Sequence, residues 1–179
     1  MAGKLLHGIA VSAGISVGKA FFMNRGRYGQ IPRQTVAKDM MDFEAARLDQ
    51  SFKTVRRDLE AARDKVPEDL REHAAIIESH LMISRDPKLA GEADRLVRET
   101  GITAEWALEK AVDKLAKVFA AIDDPYIRER IQDIRMVAER VQSRLLGEGA
   151  KELKTMEGRV VLMAHDLSPA DTIGLEMSK

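Results

Sequence analysis

Met41-Asp42-Phe43-Glu44-Ala45-Ala46-Arg47-Leu48-Asp49-Gln50-Ser51-Phe52-Lys53-Thr54-Val55-Arg56-Arg57-Asp58-Leu59-Glu60-Ala61-Ala62-Arg63-Asp64-Lys65-Val66 is the stretch whose reading decides the fold. Apolar residues fall at Met41, Ala45, Leu48, Phe52, Val55, Leu59, Ala62 and Val66, in steps that alternate 4, 3, 4, 3, 4, 3, 4. That spacing draws one apolar stripe along a helix, the seam pattern of packed helices. Two later stretches repeat it, at Ala104, Leu108, Ala111, Leu115, Val118 and Ile122, and at Ile127, Ile131, Ile134, Ala138, Val141 and Leu145. A fourth series, Leu70, Ala74, Ile77 and Leu81, breaks at Ser84-Arg85-Asp86-Pro87 and resumes at Leu89, Ala93 and Leu96. Each seam has to be buried against a partner. Several seams in one chain, separated by short strong breaks, predict an intramolecular antiparallel four-helix bundle. Its second helix is expected to be kinked or split, because a proline disfavours helical backbone at the residue before it.

The breaks have their own chemistry. Asp123-Asp124-Pro125 supplies an aspartate cap and a proline at the first helical position, where the missing N–H costs nothing. Gly101-Ile102-Thr103 separates two helices, with Thr103 the expected cap, and Pro67-Glu68-Asp69 divides the first helix from the second. Outside the helical zone the character changes. Residues 5–23 are glycine-punctuated and β-branched, and predict two short strands around a tight turn at Ser12-Ala13-Gly14. Strand character returns at Arg159-Val160-Val161-Leu162-Met163-Ala164. The helices are thus read as an insert in a small α/β unit whose strands come from both ends of the chain.

Composition narrows the function classes. The 179 residues carry 29 basic and 29 acidic side chains, a balance that argues against a dedicated nucleic-acid binder. There is no cysteine, hence no disulfide, thiol nucleophile or cysteine-ligated zinc. Hydrophobic residues at 45% and charged residues at 32% fit a globular chain. No stretch is long and apolar enough to cross a bilayer, and the opening residues do not form a signal peptide, so a cytoplasmic location is expected.

Gly14-Ile15-Ser16-Val17-Gly18-Lys19-Ala20 looks at first like a phosphate loop, but Ala13 and Ala20 stand where the motif needs glycine and a hydroxyl. The glycines are assigned to turns. His7, His73, His80 and His165 lack the spacing of a metal clip, and His73 and His80 lie two helical turns apart. No paired-carboxylate or Ser/His/Asp set stands out.

Taken together, these residues resemble the N-terminal region of the phosphoenolpyruvate–protein phosphotransferase family, enzyme I of the bacterial sugar phosphotransferase system. Four ordered segments carry the resemblance: residues 7–20, Ile76 to Leu89, Thr103 to Leu108 with Asp123 to Arg130, and Arg159 to Thr172. Two departures are visible, since Ala13 stands where proline is usual and Lys88 where the family has an acid.

The resemblance implies a mainly α fold. A helical bundle over 36–147 would dock the phosphocarrier HPr, inserted into a partial, truncated α/β phosphohistidine (swivelling) domain formed by 1–30 and 148–179. The parent enzyme takes phosphate from phosphoenolpyruvate onto a histidine and passes it to HPr. It uses magnesium in a C-terminal barrel that also makes the homodimer. No residue here matches the acceptor histidine, which the family places in a Gly-Gly-Arg-Thr-Ser-His-Thr stretch expected beyond Lys179. The 179 residues alone are therefore expected to be inactive, with no catalytic residue and no cofactor of their own.

Partner-binding residues implied are Glu72, Met82, Ile83, Asp86, Lys88, Leu89, Phe119 and Arg130. Met82, Ile83 and Leu89 are expected at an exposed corner made by the Asp86-Pro87 break. From Pro67 to Lys88 there are five acids against three bases, which weakens the acidic steering of a basic carrier. A nitrogen-regulatory paralogue of enzyme I and a self-assembling helical bundle are the alternatives. Neither nucleic acid nor membrane is expected as a partner.

Overall fold

The computed structural model describes residues 8–9, 11–23, 31–147, 159–164, 167 and 169–172. The seam of residues 41–66 forms helix α1, Met41–Arg63. Ala45, Leu48, Phe52, Val55 and Leu59 are buried along it, while Ala62 and Val66 pack at the edge of the core. Helix α2 (Arg71–Arg85) and helix α3 (Pro87–Thr100) follow, with the expected split at Asp86. Next come α4 (Ala104–Ala120), the short α5 (Pro125–Glu129) and α6 (Ile131–Leu145). The ends of the described chain supply strand β1 (Lys19–Met23), strand β2 (Val160–Ala164) and one turn of helix, α7 (Pro169–Thr172). The mainly helical character expected from the periodicity is what the structure shows.

Ion pairs fix the directions of the helices. Arg63, at the end of α1, meets Glu78 of α2 at 3.1 Å, and Arg98, near the end of α3, meets Asp42 at the start of α1 at 2.5 Å. Helices α2 and α3 therefore run back along α1 in sequence. The first amide of α4, at Ala104, donates to Glu44 in the first turn of α1 at 2.9 Å, so α4 starts beside the start of α1. Arg144, near the end of α6, meets Asp58 of α1 at 2.6 Å, and Arg47 of α1 donates to the Leu145 carbonyl at 3.2 Å. The core between them is apolar: Leu48, Phe52 and Leu59 of α1, Ile77 and Leu81 of α2, Leu89 and Val97 of α3, Leu108 and Val112 of α4, and Val141 of α6. Each such side chain contributes roughly 1.5–3 kcal/mol by leaving water.

Two breaks carry aspartate caps, the one at Asp124 expected from the sequence and the one at Asp86 shown by the structure. Asp124 Oδ1 accepts from the Tyr126 and Ile127 amides, with Pro125 at the first helical position. Asp86 Oδ1 accepts from the Lys88 amide at 2.8 Å, with Pro87 in the same role. Gly101 ends α3 in the left-handed region at φ 61, and a Cβ there would lie 2.5 Å from the Met41 methyl. Its carbonyl accepts from Val36 while Thr103 donates to Gln34, so residues 34–36 strap the α3–α4 turn.

Four expectations are corrected. Thr103 sits at the N-cap of α4 but its hydroxyl is buried and caps nothing, because the carboxylate of Glu44 has taken that place. Val118 is 56% exposed while Phe119 packs against the core, so the end of the α4 seam turns by one residue. Ile127 is 43% exposed because the last seam is divided at Arg130, leaving α5 a five-residue helix outside the core. The glycine-rich opening does not make two strands around a turn among its described residues. Residues 11–18 carry no strand, and β1 instead pairs in parallel with β2, Lys19 opposite Val160 through Met23 opposite Ala164. A parallel pair needs a long crossover, and here the helices are the crossover. Gly18 enters the pair so closely that a Cβ would lie 2.6 Å from the Arg159 carbonyl oxygen. Expectations for residues 5–7, 24–30 and 148–158 and for His165 fall outside the described residues.

Glu44→Ala should lower stability by about 1–3 kcal/mol, because it orphans a buried helix amide and a guanidinium contact. Thr103→Ala, at the residue that local sequence names as the cap, should stay within about 0.5 kcal/mol of the parent. Urea unfolding of both variants decides this, and the reverse order would return the cap to Thr103.

Candidate functional site

Helix α2 shows two faces within one turn. His80 and Leu81 are buried, and the next residue, Met82, is 66% exposed. Packing explains the step: the seam series Ile77, Leu81 faces α1, and the 100° turn to Met82 carries its thioether away from the core. Ile83 is a correction to the expected exposed corner: it is half-buried and packs against the core edge. Ser84 is fully buried and donates to the Leu81 carbonyl at 2.7 Å, while Arg56 of α1 reaches the Ser84 carbonyl at 3.5 Å, so the last turn of α2 is held from beneath.

Of the other residues singled out in the sequence, Glu72 is exposed in the first turn of α2, where a carboxylate favours the helix dipole. Asp86 and Lys88 are exposed at the break, with Asp86 committed through one oxygen to capping α3. Leu89 is a correction: it is 1% exposed, one turn into α3, where it closes the core behind the break rather than standing at the corner. Phe119 is half-buried against the core. Arg130 is exposed and ordered by three contacts. Its guanidinium lies 4.9 Å from the Tyr126 ring centroid, donates to the Tyr126 hydroxyl at 2.5 Å, and donates to Asp133 Oδ2 at 3.1 Å.

Arg130 is brought toward α2 through Asp133. The other oxygen of Asp133, Oδ1, is 4.0 Å from His80 Nε2. Two exposed stretches, the Met82 corner of α2 and Tyr126–Arg130 at α5, lie 44 or more residues apart in the sequence and are the candidates for one docking surface. Met82, Val118, Tyr126 and Ile127 are exposed apolar side chains, and Glu72, Asp86, Lys88 and Arg130 are exposed and of mixed charge. This is the composition of a protein-docking surface, apolar with a charged rim. Among the described residues no group of three or more His, Cys, Asp or Glu is placed to hold a metal ion.

Sequence reasoning missed what lies beneath. His80 is 1% exposed and neither ring nitrogen has a hydrogen-bond partner among the described residues. Burial pushes its pKa below the ordinary histidine value; Arg140 pushes the same way, and Asp133 and Asp171 oppose. Arg140 of α6 pairs with Asp171 of α7 at 2.6 Å, and both side chains are largely buried. Only the position of His80 three residues after Ile77, on the same face of α2, could have hinted at its burial. The partner of Arg140 lies 31 residues on and leaves no local signal.

Residues 7–130 match the family described as PEP-utilising enzyme, N-terminal. The phosphoenolpyruvate-protein phosphotransferase of Enterococcus faecalis is 34% identical over 175 residues, covering 97% of this chain and 30% of its own length. That of Cupriavidus necator is 35% identical over 179 residues, with 94% and 30% covered. The chain thus spans about 30% of the length of these curated relatives. A solution structure of Enzyme I (nEIt) superposes with a TM-score of 0.76 at 31% identity, over 96% of this chain and 69% of that one. The N-terminal domain of Enzyme 1 - Nitrogen shares the fold, with a TM-score of 0.69 at 22% identity over 91% and 66%.

His80 links stability to pH. A histidine whose folded pKa is depressed stays neutral when buried, so its contribution is complete above the unfolded value of about 6.5 and is lost as pH falls below it. The melting temperature should therefore drop as pH falls from about 6.5 to 5, and His80→Gln should flatten that slope. Calorimetric scans across this range test it. An equally steep slope in the variant would assign the effect to other groups.

Proposed function

Since the chain belongs to the family of PEP-utilising enzyme N-terminal domains, we propose that it is the carrier-docking part of an enzyme I. That enzyme moves phosphate from phosphoenolpyruvate through a histidine to the carrier HPr. In this reading residues 36–147 are a four-helix docking bundle with a split second helix. It is inserted into a partial phosphohistidine α/β domain made from 1–30 and 148–179. The parallel pairing of β1 with β2 across the helical zone supports that division.

The observation that carries the docking role is Met82, 66% exposed on a helix whose adjacent His80 and Leu81 are buried. An exposed, unbranched thioether on a helix held rigid from beneath suits an adaptable apolar contact. Ile83 supports it from the core edge. Glu72, Asp86, Lys88 and Arg130 form the rim, and Phe119 contributes through the packing of α4. Leu89 enters the same reading differently, as the core residue that holds the Asp86-Pro87 corner in place. Phosphoryl transfer demands positioning and charge stabilisation more than covalent help from the protein. None of His7, His73, His80 and His165 stands in the acceptor stretch of the family, so the role assigned to these residues is to seat the carrier. Magnesium and homodimer formation belong, in this reading, to a C-terminal barrel of the parent enzyme. A cytoplasmic setting is part of the proposal, and no helix among the described residues is long and apolar enough to cross a membrane.

Met82→Ala should weaken HPr binding by about 1–2 kcal/mol with its melting temperature unchanged. Leu89→Ala should instead lower stability by about 2–5 kcal/mol, as a truncated core leucine does. Lys88→Glu should raise the association rate at low salt by adding acid toward a basic carrier. Calorimetry and stopped-flow with HPr, alongside melting curves, read all three. Unaltered HPr affinity in a fully folded Met82→Ala protein would place the docking face elsewhere.

A further inference from the structure

The strand pair needs something to hold it against the helices, and α7 is where the chain returns to them. Helix α7 packs on α1 and α2, with Ala170 against the core edge and Asp171 buried. Only six residues separate Ala164, the end of β2, from Asp171. At no more than about 3.5 Å per residue, an anchored Asp171 keeps β2, and through it β1, within a short tether of the bundle. The anchor is the 2.6 Å pair with Arg140. A largely buried, charge-assisted contact of this kind is directional and costly to break singly.

The same anchor is continuous with the docking face. His80 is on the helix that packs against both, since α2 packs on α6 and on α7, and its Nε2 is 4.0 Å from Asp133 Oδ1 of α6. Asp133 in turn holds Arg130 at the surface. We propose that Arg140 and Asp171 are positioning residues that set where the β1–β2 pair sits on the bundle. The line Arg130–Asp133–His80 then ties that position to carrier docking. This second half rests on the docking reading above, whereas the first does not.

The test uses the full 179-residue chain. Amide hydrogen exchange is followed by NMR in the parent, Arg140→Gln, Asp171→Asn, the double variant and Arg140→Lys. Exchange across Val160–Ala164 is expected to rise at least tenfold in each neutral single variant. It should rise no further in the double variant and recover in part in Arg140→Lys. Amides of Leu48 to Leu59 should keep their parent rates. Unchanged β2 exchange in the single variants overturns the proposal. So does equal acceleration in α1, which would make the pair a general support of the fold. A second arm titrates the parent and Asp133→Asn with HPr and follows the His80 ring resonances. They should move in the parent and stay nearly fixed in Asp133→Asn. Binding without movement of the His80 ring in the parent overturns the link to docking. Absence of HPr binding overturns the docking reading while leaving the exchange result to stand.

Discussion

The structure depends on the buried stripe of α1. Every other long helix closes on Ala45, Leu48, Phe52, Val55 and Leu59, and the strict alternation of steps is what lets one straight helix serve them all. Beside the stripe, Glu44 joins three helix ends. It accepts from the Ala104 amide and from Arg47 at 2.7 Å, while Arg47 also reaches Glu105 at 2.7 Å and the Leu145 carbonyl. One end of the bundle is thus pinned by a carboxylate and a guanidinium that satisfy each other and two helix termini. Burying these charges is tolerable because nearly all their hydrogen-bonding positions are used. Desolvation works against the Arg47 charge, and the contacts with Glu44 and Glu105 outweigh it to raise the pKa of the guanidinium.

How much of this was legible in the sequence follows the range of the interactions. The α1 stripe, the split at Asp86-Pro87 and the Asp124 cap are local patterns, and each appears where spacing placed it. Thr103 shows the limit. Local chemistry names it as the cap, yet a carboxylate 60 residues away reaches the Ala104 amide at 2.9 Å and displaces it. The strands show the same limit from the other side. Alternation and glycines in residues 5–23 suggested a local hairpin, but the partner of Lys19–Met23 is Val160–Ala164. A parallel partner is non-local by necessity, and nothing within β1 encodes its distance along the chain.

The candidate site divides along the same line. A one-residue step separates buried Leu81 from exposed Met82, and helical periodicity alone was enough to foresee it. Leu89 is buried although a break in a helix suggests exposure on both of its flanks. A proline at the first turn redirects a helix without rotating its seam out of the core: Leu89, Ala93 and Val97 remain buried along α3. The corner that results is narrower than expected, with its apolar exposure on the α2 side. The Tyr126–Arg130 turn, which no seam argument distinguishes, supplies the rest.

The buried cluster under that surface bears on why the surface is well defined. Apolar packing of Ile77 and Leu81 against α6 sets the helix spacing, and polar contacts add directionality to it. His80, Asp133, Arg140 and Asp171 add charges whose mutual distances matter, and they sit where α2, α6 and α7 meet. With His80 neutral, Arg140 faces Asp171 without a competing cation. A proton on His80 would bring a second positive charge beside Arg140 in a space closed to water, which is the direction the depressed pKa already reports. The arrangement therefore favours one protonation state and one packing of α2 together, and the exposed step from His80 to Met82 inherits that definition.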